Sequence, residues 1–261
     1  MALMDEFREE RASVKQKPLK DKIAYIMDYY KWPIIGAVVA IIIISSLIYG
    51  KLTEKEDALN GLLLNVNLYG SASALEDCDT LSDDFLNTLN LNNQKYKVSF
   101  NPSITYYVNG DNPSQYFSPQ NQQLIMTLVS AGTADFMTAD TDTMLVFAYQ
   151  GYFTDLSEIL SDEEYAAFEP YFLYIDATFS DRLNELKENG SSDTSIEVPD
   201  WTDPDSMEKP VPVLIDMSKS DKLMQIYNQT KKDTICMGFP YTLPHKDTAV
   251  EFLKYVMPEQ P

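Results

Sequence analysis

The chain has 261 residues and a formal net charge of −20 at pH 7, because 40 Asp and Glu residues outnumber 20 Lys and Arg residues. This balance excludes nucleic acid as a partner, since phosphate binding needs a basic face. One histidine and two widely separated cysteines likewise exclude a histidine-rich or Cys-only metal site.

An uncharged apolar run extends from Trp32 to Tyr49. At about 1.5 Å per helical residue, such a run can cross a hydrocarbon core of about 30 Å. It lacks the polar face of a core helix, and it begins too late and lacks the A-x-A site of a cleaved signal peptide. We therefore predict a transmembrane helix over residues 32–50, which would anchor the chain in the membrane.

Lysines are concentrated before this run. Lys51 and Lys55 lie close behind it, whereas five lysines precede it, at positions 15, 17, 20, 22 and 31. The positive-inside tendency then keeps the N-terminus in the cytoplasm. The predicted organisation is a cytoplasmic tail with a juxtamembrane amphipathic helix (1–31), the span, a linker (51–60) and an extracytoplasmic domain (61–261). The predicted location is the cell membrane, with a single pass and the C-terminal domain outside.

The extracytoplasmic part alternates strand and helix signals. Helix starts are marked by Ser118-Pro119 and by a capping-box pattern from Ser161 to Glu164, and helix ends by glycines. The pattern predicts strands over 61–70, 95–100, 134–138, 210–217 and 234–238, and helices over about 79–89, 119–131, 142–150, from 161, 220–230 and 246–257. Polar loops separate them over 101–117 and 188–209. Such alternation is typical of an α/β domain with a mostly parallel sheet and helices on both faces.

Three segments carry a family resemblance: Ile125 to Met137, Tyr149 to Leu160, and Asp247 to Val256. A helix ends at Ala-Gly and is followed by an Asp on a strand, then by a Tyr-x-x-Gly turn and an Asp-Leu-Ser segment. A late helix reads Ala-x-x-Phe-Leu-x-Tyr. In this order they resemble extracellular solute-binding proteins of bacterial ABC importers, of the sugar-type class. The resemblance implies a periplasmic-binding-protein-like fold, in a reduced form because that family is near twice this length.

Chemistry-bearing motifs are sparse. We expect His245 to lie at a helix cap or an exposed position, and Asp135 to cap nearby backbone amides. The acidic pairs Asp140-Thr-Asp142 and Asp203-Pro-Asp205 are expected to be caps and turns, since neither continues into a calcium-binding loop. No phosphate-binding glycine loop is present. We predict no catalytic residues, no metal and no cofactor, and Cys78 and Cys236 are equally compatible with a disulfide and with two free buried thiols.

Aromatic and polar residues near predicted strand ends are the candidate ligand-binding residues, because ligands of open α/β sheets lie outside the carboxyl ends of strands. These candidates are Tyr69, Tyr106, Tyr107, Thr138, Asp140, Trp201 and Tyr241. Half-buried packing is the alternative role for the tyrosines. The resulting hypothesis is a single-pass, membrane-anchored, extracytoplasmic binding module for a sugar, a peptide or a membrane protein partner. The alternatives are an envelope assembly scaffold without a small-molecule site and, third, an envelope hydrolase.

Overall fold

The computed structural model describes residues 54–70, 72–106, 119–179, 181, 198–227 and 234–257, together with Val39, Ile42 and residues 44–46. Most of the predicted span over 32–50, and all of the predicted cytoplasmic tail, therefore lie outside the described residues. The five described positions within the span are helical and exposed. Across the described ranges, no helix combines the length and the apolar character that crossing a membrane requires.

The residues from Lys55 to Pro261 form one compact unit. Its strands are β1 Glu56–Leu63, β2 Tyr96–Asn101, β3 Phe136–Asp140, β4 Phe172–Asp176, β5 Pro210–Asp216 and β6 Ile235–Gly238. Its helices are α1 Val66–Tyr69, α2 Ala74–Thr88, α3 Pro119–Ser130, α4 Thr141–Ala148, α5 Leu156–Ile159, α6 Asp162–Phe168, α7 Asp221–Tyr227 and α8 Lys246–Val256. The α/β class predicted from the sequence is confirmed.

The six strands form one sheet in the order β2-β1-β3-β6-β5-β4. β1 pairs in parallel with β2 and β3, but the β3–β6, β6–β5 and β5–β4 pairings are antiparallel. The sheet is therefore mixed, and the predicted mostly parallel sheet holds only for the β2-β1-β3 half. The sequence pattern could not show this, because the alternation of apolar residues fixes the faces of a strand and not its direction.

Two buried apolar clusters cover the two faces of the sheet. Successive residues alternate between them, so that Leu63 and Phe136 lie in one cluster while Leu62 and Met137 lie in the other. Helices α2, α7 and α8 pack on the first face, and α3 and α4 pack on the second. A Cβ at position 61 would overlap the ring of Phe136, so close packing between β1 and β3 requires the glycine.

The segment predicted as a strand over 61–70 is divided in the structure. β1 begins at Glu56, within the predicted linker, and it ends at Leu63. The chain then turns at Asn65, which has a φ of 64°, and enters the short helix α1. Ala58 and Leu59 are already buried, and Glu56 already pairs with Tyr96. Pairing with β2 therefore extends the strand backward, and the left-handed turn stops it early.

Several local signals are confirmed. The capping box of α6 joins Ser161 and Glu164, as predicted. Gly132 and Gly151 follow α3 and α4 with φ values of 65° and 76°, where a side chain would be strained. Strand β4 was not predicted, because only a single 3₁₀ turn over Glu169–Tyr171 separates it from α6.

Candidate functional site

The carboxyl ends of β1 and β3 meet at one end of the sheet, because these strands are parallel neighbours. We call this end of the sheet the carboxyl edge. The chain after β1 turns at Asn65, whose short amide side chain tolerates the left-handed conformation. The turn directs a fully buried Asn65 side chain toward the end of β3 and toward the segment that follows β2. Asn65 therefore connects three parts of the chain at this edge.

The Asn65 amide uses both of its polar atoms. Its Nδ2 donates to the Tyr106 carbonyl oxygen at 2.8 Å, to Asp140 Oδ2 at 2.8 Å and, at 3.3 Å, to Thr143 Oγ1. Its Oδ1 accepts from the Tyr106 backbone N–H at 2.7 Å. A buried amide with this set of partners holds the three segments in a fixed arrangement.

Asp140 is the N-cap residue of α4. Its Oδ1 accepts from the Thr143 backbone N–H at 2.9 Å, and Oδ2 receives the Asn65 amide. Burial raises the pKa of this carboxyl above its ordinary value, and the hydrogen bonds from Thr143 and Asn65 partly offset the rise. The predicted cap role for the Asp140-Thr-Asp142 pair is thus confirmed.

Tyr227 of α7 closes the same edge from the opposite face. Its hydroxyl lies 2.8 Å from Thr138 Oγ1 and 3.0 Å from the carbonyl oxygens of Leu64 and Thr138. The side chain is fully buried, and desolvation raises its pKa well above the ordinary value. The hydroxyl therefore acts as a neutral structural donor, not as a proton-transfer group at neutral pH.

The described part of the carboxyl edge is consequently filled. Asn65, Thr138, Asp140 and Thr143 are all buried, and each is hydrogen bonded within this network. The Tyr106 ring is buried as well and lies 5.0 Å from the Phe147 ring, centroid to centroid. These side chains stabilise one another and do not line an open cleft.

A second buried carboxylate lies at the amino end of β3. Asp135 accepts from the Asn60 backbone N–H at 2.7 Å and from the His245 backbone N–H at 2.8 Å. The His245 Nδ1 lies 3.1 and 3.0 Å from its two oxygens. The expectation that Asp135 caps backbone amides is confirmed, and His245 stands at the N-cap position of α8 as expected.

The structure brings three of the predicted ligand-binding residues together: Tyr106, Thr138 and Asp140. The backbone of Tyr69 lies in α1, just after the Asn65 turn. Tyr241 lies at the opposite edge, because β6 runs antiparallel to β3, and its hydroxyl is 3.0 Å from Ser130 Oγ. Trp201 lies beside edge strand β4, where its carbonyl accepts from the Tyr174 N–H at 2.9 Å. Tyr107 lies outside the described residues.

Sequence reasoning missed Asn65 and Tyr227 as members of the network. An Asn directly after an apolar strand is a turn signal that could have identified the first. Nothing local distinguishes Tyr227 from the other apolar positions of α7, because its partners lie 89 and 163 residues away in the chain.

Cys78 and Cys236 are free and buried, which decides between the two alternatives for the cysteines. Burial raises the pKa of Cys78 to about 12, so its thiol stays protonated at neutral pH.

The acidic pair Asp203-Pro-Asp205 lies at the start of a single 3₁₀ turn over Pro204–Ser206, as expected. Over the described ranges, no three His, Cys, Asp or Glu side chains are grouped to hold a metal ion.

A groove of about 100 Å³ lies between α2, α7 and α8, away from the predicted ligand-binding residues. Ligand pockets are typically about 300–1,000 Å³, so the groove is small for a solute. Its lining residues are Asp77, Thr80, Leu81, Asp84, Lys222, Gln225, Ile226 and Tyr255. Lys222 is already engaged, since its Nζ donates to the Tyr255 carbonyl oxygen at 2.8 Å.

Neither a protein-family model nor a curated protein matches the chain at a significant level. Among solved structures, the chain is similar to the PBP (periplasmic binding protein) AgtB from A. tumefacien R10 in complex with agropinic acid. The similarity covers 78% of this chain and 79% of that chain, at 11% sequence identity and a TM-score of 0.34. At this TM-score, the fold class of the chain rests on its own sheet topology.

Proposed function

We propose that the chain is a membrane-tethered, extracytoplasmic binding module without enzymatic activity, whose periplasmic-binding-protein-like domain engages a protein partner of the cell envelope. The observation that carries the proposal is the buried network of Asn65, Tyr106 and Asp140. It occupies the sheet edge at which an open α/β domain receives a solute. Because its own side chains fill the described part of this edge, we assign recognition to the outer surface of the domain.

The tether is supported by the apolar run from Trp32 to Tyr49 and by the lysines that precede it. A non-enzymatic role accords with the structural use of the one histidine, whose ring lies 3.0 Å from Asp135 Oδ2 while Asp135 accepts the backbone N–H groups of Asn60 and His245.

A solute-binding role is the second candidate, in which the domain presents a sugar or a peptide to an ABC importer. It is favoured by the closeness of Tyr106, Thr138 and Asp140, three candidate ligand-binding residues, at the carboxyl edge. Solute binding there would require the network to open, and Asn65 to exchange its internal hydrogen bonds for bonds to the solute.

Thermal unfolding of the full chain in detergent micelles separates these candidates. We expect no sugar, peptide or amino acid to raise the melting temperature. A ligand present at 100 times its Kd adds about 2.7 kcal/mol of stability. For a domain of this size that is a rise of about 5–10 °C. A rise of that size overturns the protein-partner proposal. A rise that is lost in Thr138→Val and kept in the exposed control Thr202→Val assigns the solute to the carboxyl edge.

Two further measurements address the tether and the partner. Protease added to intact protoplasts should digest the C-terminal domain, and full protection would contradict the orientation. A photo-cross-linking residue at the exposed positions Leu91 or Val198 should join the chain to one envelope protein. Absence of a cross-link from both positions, with the domain folded, counts against a protein partner.

A further inference from the structure

Helix α3 lies in a long stretch of the compact domain that is almost without charge. Between Lys97 and Asp135 the one charged residue is Asp111, although charged residues make up 23% of the sequence. All 12 residues of α3 are uncharged. Charge depletion over a surface segment of an acidic chain requires a physical reason other than solubility, since charge is what keeps such surfaces in solution.

Most of α3 is nevertheless not in the core, because Ile125 and Val129 are its only two buried residues. Leu124 and Met126 flank the buried stripe and are each 43% exposed. Beyond the C-terminus of the helix, the Tyr241 ring is 53% exposed and its hydroxyl lies 3.0 Å from Ser130 Oγ. We define the neutral face as Gln123, Leu124, Met126, Thr127, Ser130 and Tyr241.

We propose that the neutral face is a self-association surface, on which a second copy of this chain docks its own α3. The argument for a second copy is electrostatic. Two chains of charge −20 repel each other wherever their carboxylates meet, and each unscreened pair at about 4 Å costs about 1 kcal/mol in water. A face without charge is where two identical acidic chains approach at the lowest electrostatic cost.

The composition of the face fits this occupant. The cores of protein interfaces are depleted of charge and enriched in Tyr and Met, which Tyr241 and Met126 supply. A two-fold pairing is self-complementary, so the same residues of α3 meet from both sides. The helix is about 18 Å long, which allows about three turns of contact. The inference goes beyond the proposed function, because it concerns association between two copies of this chain and not binding of another envelope protein.

Charge insertion tests the surface. We expect the full chain in detergent micelles to sediment as a dimer, and Met126→Glu to raise the dimer dissociation constant at least tenfold. Leu75→Glu is the matched control, since Leu75 is 56% exposed on α2 and lies outside the neutral face. A monomeric wild-type chain, or equal weakening by both variants, overturns the proposal. A dimer that neither variant weakens assigns self-association elsewhere and overturns it as well.

Cross-linking tests the geometry without relying on affinity. The native thiols Cys78 and Cys236 are buried, so any disulfide between two chains is expected to form through the introduced surface cysteine. Under oxidation, Gln123→Cys or Thr127→Cys should form a disulfide-linked dimer, whereas Asp83→Cys on α2 should not. Added salt gives a third test. Salt screens the repulsion between the two acidic chains, so it should strengthen their association through an uncharged contact. Cross-linking equal to that of the control, or a dimer weakened by salt, contradicts the proposal.

Discussion

Two buried aspartates lie at the two ends of β3 and make different kinds of hydrogen bond, one set mainly to distant segments and the other mainly to the adjacent helix. Asp135 accepts the backbone N–H groups of Asn60 and His245, which lie 75 and 110 residues away. Asp140 accepts the Thr143 N–H three residues on and starts a helix, and only its second oxygen reaches a distant residue, Asn65. An Asp at one end of a strand can therefore cap a helix locally, whereas an Asp at the other end joins backbone amides from distant segments. We call the contacts of Asp135 with the Asn60 and His245 amides the clamp.

The largest effect is expected from Asp135→Ala. The substitution leaves two partly buried backbone donors without an acceptor and removes the carboxylate beside the His245 ring. We expect the free energy of unfolding in urea to fall by about 3 kcal/mol. A loss below about 1 kcal/mol would show that the clamp contributes no more than an ordinary hydrogen bond.

Asp140→Asn is expected to cost about 2 kcal/mol, because both carboxylate oxygens accept from donors and an amide turns one of them into a donor. Whichever way the new amide faces, its NH₂ group meets either the Thr143 N–H or the Asn65 Nδ2. Asp79→Asn, on the exposed side of α2, is the control and should leave the free energy of unfolding unchanged. Equal stability of the two variants would contradict the network.

Tyr227→Phe removes a hydroxyl and keeps the buried ring. It should lower the free energy of unfolding by about 1.5 kcal/mol, because the carbonyl oxygen of Leu64 loses a buried donor. Tyr255→Phe is a matched control at a half-buried ring of α8. If the two substitutions cost the same, the Tyr227 hydroxyl does not hold the carboxyl edge together.

The stability of the chain should depend on pH through Asp140. Burial holds the pKa of Asp140 above its ordinary value of 3.8, so the folded state favours the neutral acid. Its stabilising contribution is complete below that value and is lost as the pH rises through the raised pKa. The wild-type chain should therefore lose stability relative to Asp140→Asn as the pH is raised from below 3.8. A relative gain would reverse the assigned direction.

The smallest effect is expected from His245→Gln. The His245 side chain is 34% exposed, and the substitution leaves the backbone N–H bond to Asp135 in place. The free energy of unfolding should fall by about 0.5 kcal/mol, the low end of the range for a single hydrogen bond. A cost close to that of Asp135→Ala would mean that the ring, and not the backbone amide, carries the clamp.

Local features were predictable from the sequence, and long-range ones were not. The capping box at Ser161, the glycine ends of α3 and α4, and the cap at Asp140 depend on residues within one turn, so spacing reveals them. The early end of β1 at Leu63 was missed because Leu64 and Val66 continue the alternation beyond the turn. The antiparallel direction of β6 was missed because no local pattern encodes it.

The candidate site divides in the same way. The sequence placed Tyr69, Thr138 and Asp140 near one sheet edge, since strand ends can be read from the pattern, and it placed Tyr106 after the second strand. It also assigned Tyr241 to that edge, and the antiparallel pairing of β6 with β3 moves Tyr241 to the other end of the sheet.

By itself, the sequence determined the α/β class, the positions of most helix starts and ends, the strong acidity, and an apolar run long enough to cross a membrane. Each of these depends on composition or on neighbours within a few residues. The tertiary structure alone decided that the sheet is mixed, that Cys78 and Cys236 stay unpaired, and that a buried network around Asn65 occupies the described part of the carboxyl edge. The physical reason is that these outcomes depend on which distant groups meet in the folded chain, and hydrogen-bond partners 75 or more residues apart leave no local trace.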